Sequence, residues 1–261
     1  MEKLLSTDDL AELVRAARLE DLGPNAMDIT SSALVRVQTP ARATLRARQP
    51  GTLAGAALLP TILEVYDQSL RSEPQMKDGS TLRSGDIVAQ IAGPMGSILA
   101  VERVALNFLT HTSGIATLAA RYVEAVRGTR ASIFDTRKTH PGLRAIEKYA
   151  AVCGGASSHR MGLHDAVLIK DNHLAALSAG QLSGAITNAV SQLRSHEPAP
   201  SFIAVEVDSI EQLRLVLRSQ VDIVLLDNMD VAHLQQAVAI RDATAAAVLL
   251  EASGGITLEN V

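Results

Sequence analysis

The spacing of apolar positions changes character along the chain. After Ser6-Thr7-Asp8-Asp9, residues Leu10, Leu13, Val14 and Ala17 recur at helical intervals, with the acids at the start where a helix dipole favours them. A helix is predicted there, ending near EDLGPNAMDIT. From Ala41 to Ala100, ATLRARQPGTLAG and GSTLRSGDIVAQIAGPMGSILA step between short apolar and polar runs punctuated by glycine, the mark of antiparallel strands and hairpins. AALLPTILEVYDQSL, between them, has helical spacing. These patterns predict an α+β, sandwich-like domain over residues 1–112. The segment VERVALNFLTHTSGIATLAARYVEAVRG carries the helical period onward, with an interruption expected near Thr112-Ser113-Gly114 and a second domain over residues 113–261.

In that second part the rhythm is regular. Apolar strand candidates end near Lys138, Lys170, Val207, Asp227 and Ala252, and helical patterns such as SIEQLRLVLRS and MDVAHLQQAVAI follow most of them. Repeated strand-helix units predict a parallel sheet, here an incomplete or open (βα) barrel, with its chemistry at the strand C-termini. The last stretch, VLLEASGGITLENV, offers a strand, a small-residue turn and Thr257 as a helix N-cap. Only Leu258 to Val261 remain for that helix, so a missing C-terminal strand is expected.

Charge and composition narrow the function. Twenty-four Lys+Arg against 28 Asp+Glu give a formal charge of -4, so no global basic field invites nucleic acid or an anionic membrane. The absence of Trp leaves few stacking platforms for single-stranded nucleic acid. No segment reads as an export signal or as a membrane span, and a cytoplasmic protein is expected. Cys153 is the sole cysteine, which excludes an internal disulfide and a multi-cysteine zinc site; within AVCGGASSHR no pattern assigns it a base, so it is read as a small buried thiol.

The candidate chemistry begins with lysine, which is scarce: Lys3, Lys77, Lys138, Lys148 and Lys170. Two of these end predicted barrel strands, Lys138 beside Arg137 and Lys170 beside Asp171. His159 and Arg160 fall in a small-residue loop between them. Glu206 in FIAVEV and Asp227 in IVLLDN interrupt apolar strands, where a carboxylate is costly unless it is paired, hydrogen-bonded or bound to a cation. Pairing with the barrel lysines is the structural explanation; a divalent ion and sugar hydroxyls are the functional one. Asp208 is assigned to capping the next helix. EASGGIT places free backbone N–H groups between a strand and a helix start, a cradle for phosphate. Together these residues suit a small, phosphorylated polyanion. A Schiff-base lysine of the class I aldolase type is an alternative, but it leaves Arg137 and Arg160 without a task.

In this order, ERVALNFLTHTSGIAT, DTRKTHPGLRAIEKYAAVCGG, HRMGLHDAVLIKDNH, VEVD, LLDN and EASGGI resemble the quinolinate phosphoribosyltransferase family, and EDLGPNAMDITS extends the resemblance towards the N-terminus. The resemblance implies transfer of phosphoribose from phosphoribosyl pyrophosphate to quinolinate, with magnesium, giving nicotinate mononucleotide, pyrophosphate and carbon dioxide in NAD synthesis. It implies that Thr136, Arg137, His159, Arg160 and Lys170 meet the quinolinate carboxylates, with Arg103 entering from the other subunit of a homodimer. Lys138 and Lys170 would face phosphates, Glu206 and Asp227 the ribose hydroxyls and magnesium, and Ser253, Gly254 and Gly255 the 5′-phosphate. Lys138, Lys170, Glu206 and Asp227 form the catalytic set. Two departures from the family pattern stand out: the family continues beyond this C-terminus with a further strand and phosphate loop, and His140 stands where a smaller or apolar residue is expected. The alternatives are a related phosphoribosyltransferase with another acceptor, such as those of molybdenum-transport operons, and a catalytically impaired ligand-binding fragment.

Overall fold

The computed structural model describes residues 5–36, 39–174 and 179–261, and the chain divides into two compact units, residues 1–159 and 160–261. In the first unit, helix α1 (Thr7–Leu22) starts at the Ser6 N-cap, whose hydroxyl accepts from the Asp9 N–H at 3.1 Å, and buries Leu10, Ala11 and Val14. Helix α2 (Ile29–Leu34) is capped in the same way by Asp28, which accepts from the N–H groups of Thr30 and Ser31. The alternating segments form β1 (Pro40–Arg46) and β2 (Gly51–Thr52). Helix α3 (Leu59–Tyr66) follows a short 3-10 turn, and β3 (Arg71–Pro74), β4 (Thr81–Leu82) and β5 (Ile87–Pro94) complete the set. Strand β5 lies between β1 and β3 in an antiparallel sheet, and β2 pairs with β4. Val88, Ala89 and Ile91 of β5 join Leu10, Val14, Leu59, Ile62 and Leu63 in one apolar core.

Helix α4 (Met95–Ala125) then runs for 31 residues without a break, about 46 Å at 1.5 Å per residue. The interruption expected at Thr112-Ser113-Gly114 is therefore absent. The hydroxyls that suggested it face the strand segment beside the helix. Thr112 Oγ1 donates to the Ala54 carbonyl at 2.6 Å, Ser113 Oγ lies 3.1 Å from both the N and the O of Ala54, and Thr117 Oγ1 accepts from the Thr52 N–H at 2.8 Å. These bonds dock the helix on residues 52–54 and offset the weak helix propensity of the run. Helix α5 (Arg144–Cys153) packs against α4 closely enough that a Cβ on Gly154 would lie 2.7 Å from Ala119 Cβ and 3.0 Å from the Ala120 nitrogen.

The second unit is built from β6 (Val167–Ile169), α6 (Asp171–Leu174), α7 (Ala179–Arg194), β7 (Ile203–Val207), α8 (Ile210–Val216), β8 (Ile223–Asp227), α9 (Val231–Thr244) and β9 (Leu249–Ser253). The strands form one parallel sheet in the order β6-β7-β8-β9. Ile203, Val205, Val207, Val224 and Leu226 on one face pack with Leu182, Ile186, Leu213 and Ala237 of the helices. The strand expected to end at Lys138 does not form. Phe134 makes only an isolated parallel bridge to Ser157, and beyond it the backbone turns to local bonds, with the Lys138 N–H donating to Thr136 Oγ1 at 3.0 Å. At the C-terminus Thr257 opens a single turn, its carbonyl accepting from the N–H groups of Asn260 and Val261. No helix among the described residues is long and apolar enough to cross a membrane.

Candidate active site

In the 160–261 unit the register of the parallel sheet assembles the site. Lys170 directly follows Ile169, the partner of Val205, and so comes level with Glu206. Glu206 pairs with Leu225, and Leu225 with Glu251, so one cross-strand row carries a cation and two carboxylates on a single face. Asp227 and Ser253 are paired two residues further along β8 and β9 and share that face. The opposite face is the apolar one that meets the helices, which is why an acid at alternate positions of these strands does not enter the core. Lys170 Nζ is 3.7 Å from Glu206 Oε2, with side chains 46% and 16% exposed respectively.

The end of the sheet is closed by backbone geometry. Asn228 takes a left-handed conformation, φ 53°, donates its N–H to the Ser253 carbonyl at 2.8 Å and places its side-chain amide 2.9 Å from Asp227 Oδ2. Gly254, with φ +87°, passes so close that an added Cβ would lie 2.6 Å from Asn228 Cγ. A side chain is excluded there by both the conformation and the space. Arg160 is buried in the same unit, its Nη1 within 3.5 Å of the Ala166 carbonyl. The turn after it is held by Asp165, whose carboxylate accepts from the N–H groups of Met161 at 2.7 Å and Gly162 at 2.9 Å. Burial opposes the charge of Asp165, but these N–H groups more than offset it and hold the carboxyl below its ordinary range.

In the 1–159 unit, Thr136, Arg137 and Lys138 follow the bridge at Phe134, and Arg137 Nε is buried without a hydrogen-bond partner among the described residues. His159 donates its backbone N–H to Asp135 Oδ1 at 2.8 Å, and its ring meets Phe134 edge-on at 6.4 Å. Asp135 also pairs with the Lys148 ammonium, and both side chains are buried. Arg103 projects from α4 and is exposed. Cys153 is partly buried, and burial pushes its thiol up, away from a reactive thiolate. Its neighbour Tyr149 is buried and bonded to Asp78, which raises the phenol too.

The structure thus joins Lys170 with Glu206, and Asp227 with Ser253 and Gly254. It groups Thr136 with Lys138, and puts His159 beside Phe134. The side chain of Asp171 lies outside the described residues. Three contributors were not singled out from the sequence: Glu251, Asp165 and the Asp135–Lys148 pair. Glu251 carried the same signal as Glu206, an acid inside an apolar strand. Asp165 and Lys148 had none, because their partners are backbone N–H groups and a distant acid.

The chain resembles known proteins along most of its length. Residues 28–113 match the family model described as quinolinate phosphoribosyl transferase, N-terminal domain, and residues 115–261 match the corresponding C-terminal domain. The nicotinate-nucleotide pyrophosphorylase [carboxylating] of Mycobacterium leprae is 42% identical over 255 residues, 97% of this chain and 87% of that one. Quinolinate phosphoribosyltransferase [decarboxylating] 1b of Nicotiana tabacum is 36% identical, covering 98% of this chain and 74% of the relative. Among solved structures, NadC from Streptococcus pyogenes superposes with a TM-score of 0.86 at 38% identity, over 97% of this chain and 86% of that one.

Proposed function

The chain belongs to the quinolinate phosphoribosyl transferase family, and from that premise we propose that it transfers phosphoribose from phosphoribosyl pyrophosphate to quinolinate, releasing pyrophosphate and carbon dioxide and forming nicotinate mononucleotide for NAD synthesis. The observation that carries this reading is the row at the C-terminal edge of the parallel sheet. A lysine, strand-borne carboxylates and a glycine turn stand there together, where parallel α/β sheets hold their ligands. The division into residues 1–112 and 113–261 belongs to the same reading, supported by family matches that meet between residues 113 and 115.

The chemistry assigns each group a task. Ser253 and the N–H groups of Gly254 and Gly255 receive the 5′-phosphate. Glu206 and Asp227 meet the ribose hydroxyls, and their oxygen donors fit magnesium, a hard ion that favours carboxylates over nitrogen ligands. Magnesium, when bound, offsets the charge of the departing pyrophosphate. As the bond from C1 of the ribose to pyrophosphate lengthens, positive charge grows on the sugar, and the carboxylates stabilise it while Lys138 and Lys170 hold phosphate oxygens. Thr136, Arg137, His159, Arg160 and Lys170 orient the quinolinate carboxylates so that the pyridine nitrogen attacks C1 in line. The adjacent carboxylate then leaves as carbon dioxide. Its bonding electrons stay on the ring carbon next to the cationic nitrogen, and a proton replaces it. No covalent enzyme intermediate is needed.

The protein works as a homodimer in which Arg103 reaches the partner's site; its exposure on α4 supports this. A cytoplasmic setting accords with a chain that has one cysteine and so no internal disulfide. The deciding experiment incubates the purified chain with phosphoribosyl pyrophosphate, magnesium and either quinolinate or nicotinate, and detects nicotinate mononucleotide by mass spectrometry. Product from quinolinate alone is expected. Product from nicotinate instead would point to another acceptor class and sink the reading. For the shared site, Arg103→Ala and Lys138→Ala proteins are each expected to be inactive, and mixing them is expected to restore part of the activity; no recovery would place Arg103 in its own subunit's site.

A further inference from the structure

We propose that His111, His140 and Glu147 form a binding site for a divalent metal ion of the zinc class, distinct from the oxygen-donor position at Glu206 and Asp227. The three residues come from α4, the 135–143 loop and α5. Glu147 Oε1 lies 3.0 Å from His111 Nε2 and 2.6 Å from His140 Nδ1, and one ligand atom from each residue falls within 4.8 Å of the others. Two ligands bound tetrahedrally at about 2.0–2.1 Å from zinc stand about 3.3 Å apart, so Glu147 Oε1 needs shifts of tenths of an ångström from each imidazole nitrogen to share an ion with it. The rings meet edge-on with centroids 5.8 Å apart, and one nitrogen of each already converges on Glu147 Oε1.

The surroundings are those of a site with one open position. The Glu147 side chain is only 10% exposed, whereas those of His111 and His140 are 38% and 73% exposed. An ion therefore has a carboxylate floor, an entry path and room for water as a fourth ligand. The second oxygen, Glu147 Oε2, is already fixed by the His140 backbone N–H at 3.2 Å, an outer contact of the kind that orients a ligating carboxylate. The close α4–α5 contact at Gly154 holds the two helical ligands in place. Two imidazoles and one carboxylate suit Zn²⁺, Co²⁺ or Ni²⁺, whereas Mg²⁺ keeps to oxygen ligands and water. An ion held here would tie the loop bearing Arg137 and Lys138 to both helices.

Cobalt is the probe. The metal-free chain of 261 residues is titrated with Co²⁺ and its visible absorption followed, first alone and then with Zn²⁺ or about a hundred-fold excess of Mg²⁺ as competitor. One equivalent of Co²⁺ with intense low-symmetry bands is expected, displaced by Zn²⁺ and retained in Mg²⁺. His140→Leu and His111→Gln are each expected to weaken binding by more than the about 10–100-fold that loss of an outer contact causes. His140 is exposed, so its variant keeps the fold, which circular dichroism verifies. Glu206→Ala should bind Co²⁺ as the parent does. No Co²⁺ bands in the parent, bands unchanged in both histidine variants, or bands lost in Glu206→Ala would overturn the proposal.

Discussion

Each unit of the molecule carries a lysine paired with a carboxylate, and the two pairs differ in almost every physical respect. Lys148 and Asp135 are 1% and 6% exposed, and Asp135 also receives the His159 N–H, while its second oxygen has no partner among the described residues. Lys170 and Glu206 stand 3.7 Å apart at the open edge of a sheet, with the lysine half-exposed. The first pair is closed: neither charge can leave without stranding the other in the interior. The second is loose, and a ligand phosphate or carboxylate can take the lysine from Glu206 at little cost. One pair is scaffold and the other belongs to the proposed site, although a lysine and a carboxylate make both.

Breaking each pair in turn tests that contrast. Lys148→Ala leaves Asp135 buried and uncompensated, and is expected to lower stability by about 3–5 kcal/mol in urea unfolding. Lys170→Ala is expected to change stability by no more than about 0.5 kcal/mol while removing nearly all turnover. Equal losses of stability in the two variants would erase the distinction. A third carboxylate sharpens it, because Asp165 is held by N–H groups and not by a cation. Asp165→Asn is expected to cost about 1–3 kcal/mol at neutral pH, the range for bonds to a charged group and for the donors left behind. Because the folded-state value of Asp165 lies below its unfolded one, its contribution is complete above about pH 4 and fades as pH falls through the folded value. The parent and the variant should therefore converge in stability only in strong acid. A gap that stayed constant down to the lowest measurable pH would mean that the charge plays no part.

What the sequence made legible followed the periodic signals. The switch from alternating strands to repeated strand-helix units, and the acids set into β7 and β8, could be read directly, because each is a local departure from a local pattern. The failures were long-range. Thr112 and Ser113 looked like a helix break because their acceptor, the carbonyl of Ala54, is 58 residues or more away. Phe134 looked like a strand because its apolar approach resembled the others, yet only Ser157 pairs with it. Lys148 was counted among the five lysines and given no role, since nothing near it announces that Asp135 is its partner. His140 was visible as an oddity, but its meaning depended on a glutamate on one helix and a histidine on another.

The order of strands in the second sheet also bears on how the chain acquires its structure. Neighbours in β6-β7-β8-β9 are neighbours in sequence, joining pairs such as Ala204 with Ile223 and Val167 with Ile203, whereas β1 finds β5 only through more distant pairs such as Pro40 with Pro94. Closing a longer loop costs more chain entropy before any contact repays it, and mean contact separation governs folding speed. The 160–261 sheet can therefore grow strand by strand. The 1–159 sheet must wait for its central strand, so the half of the protein made first at the ribosome holds the slower assembly step.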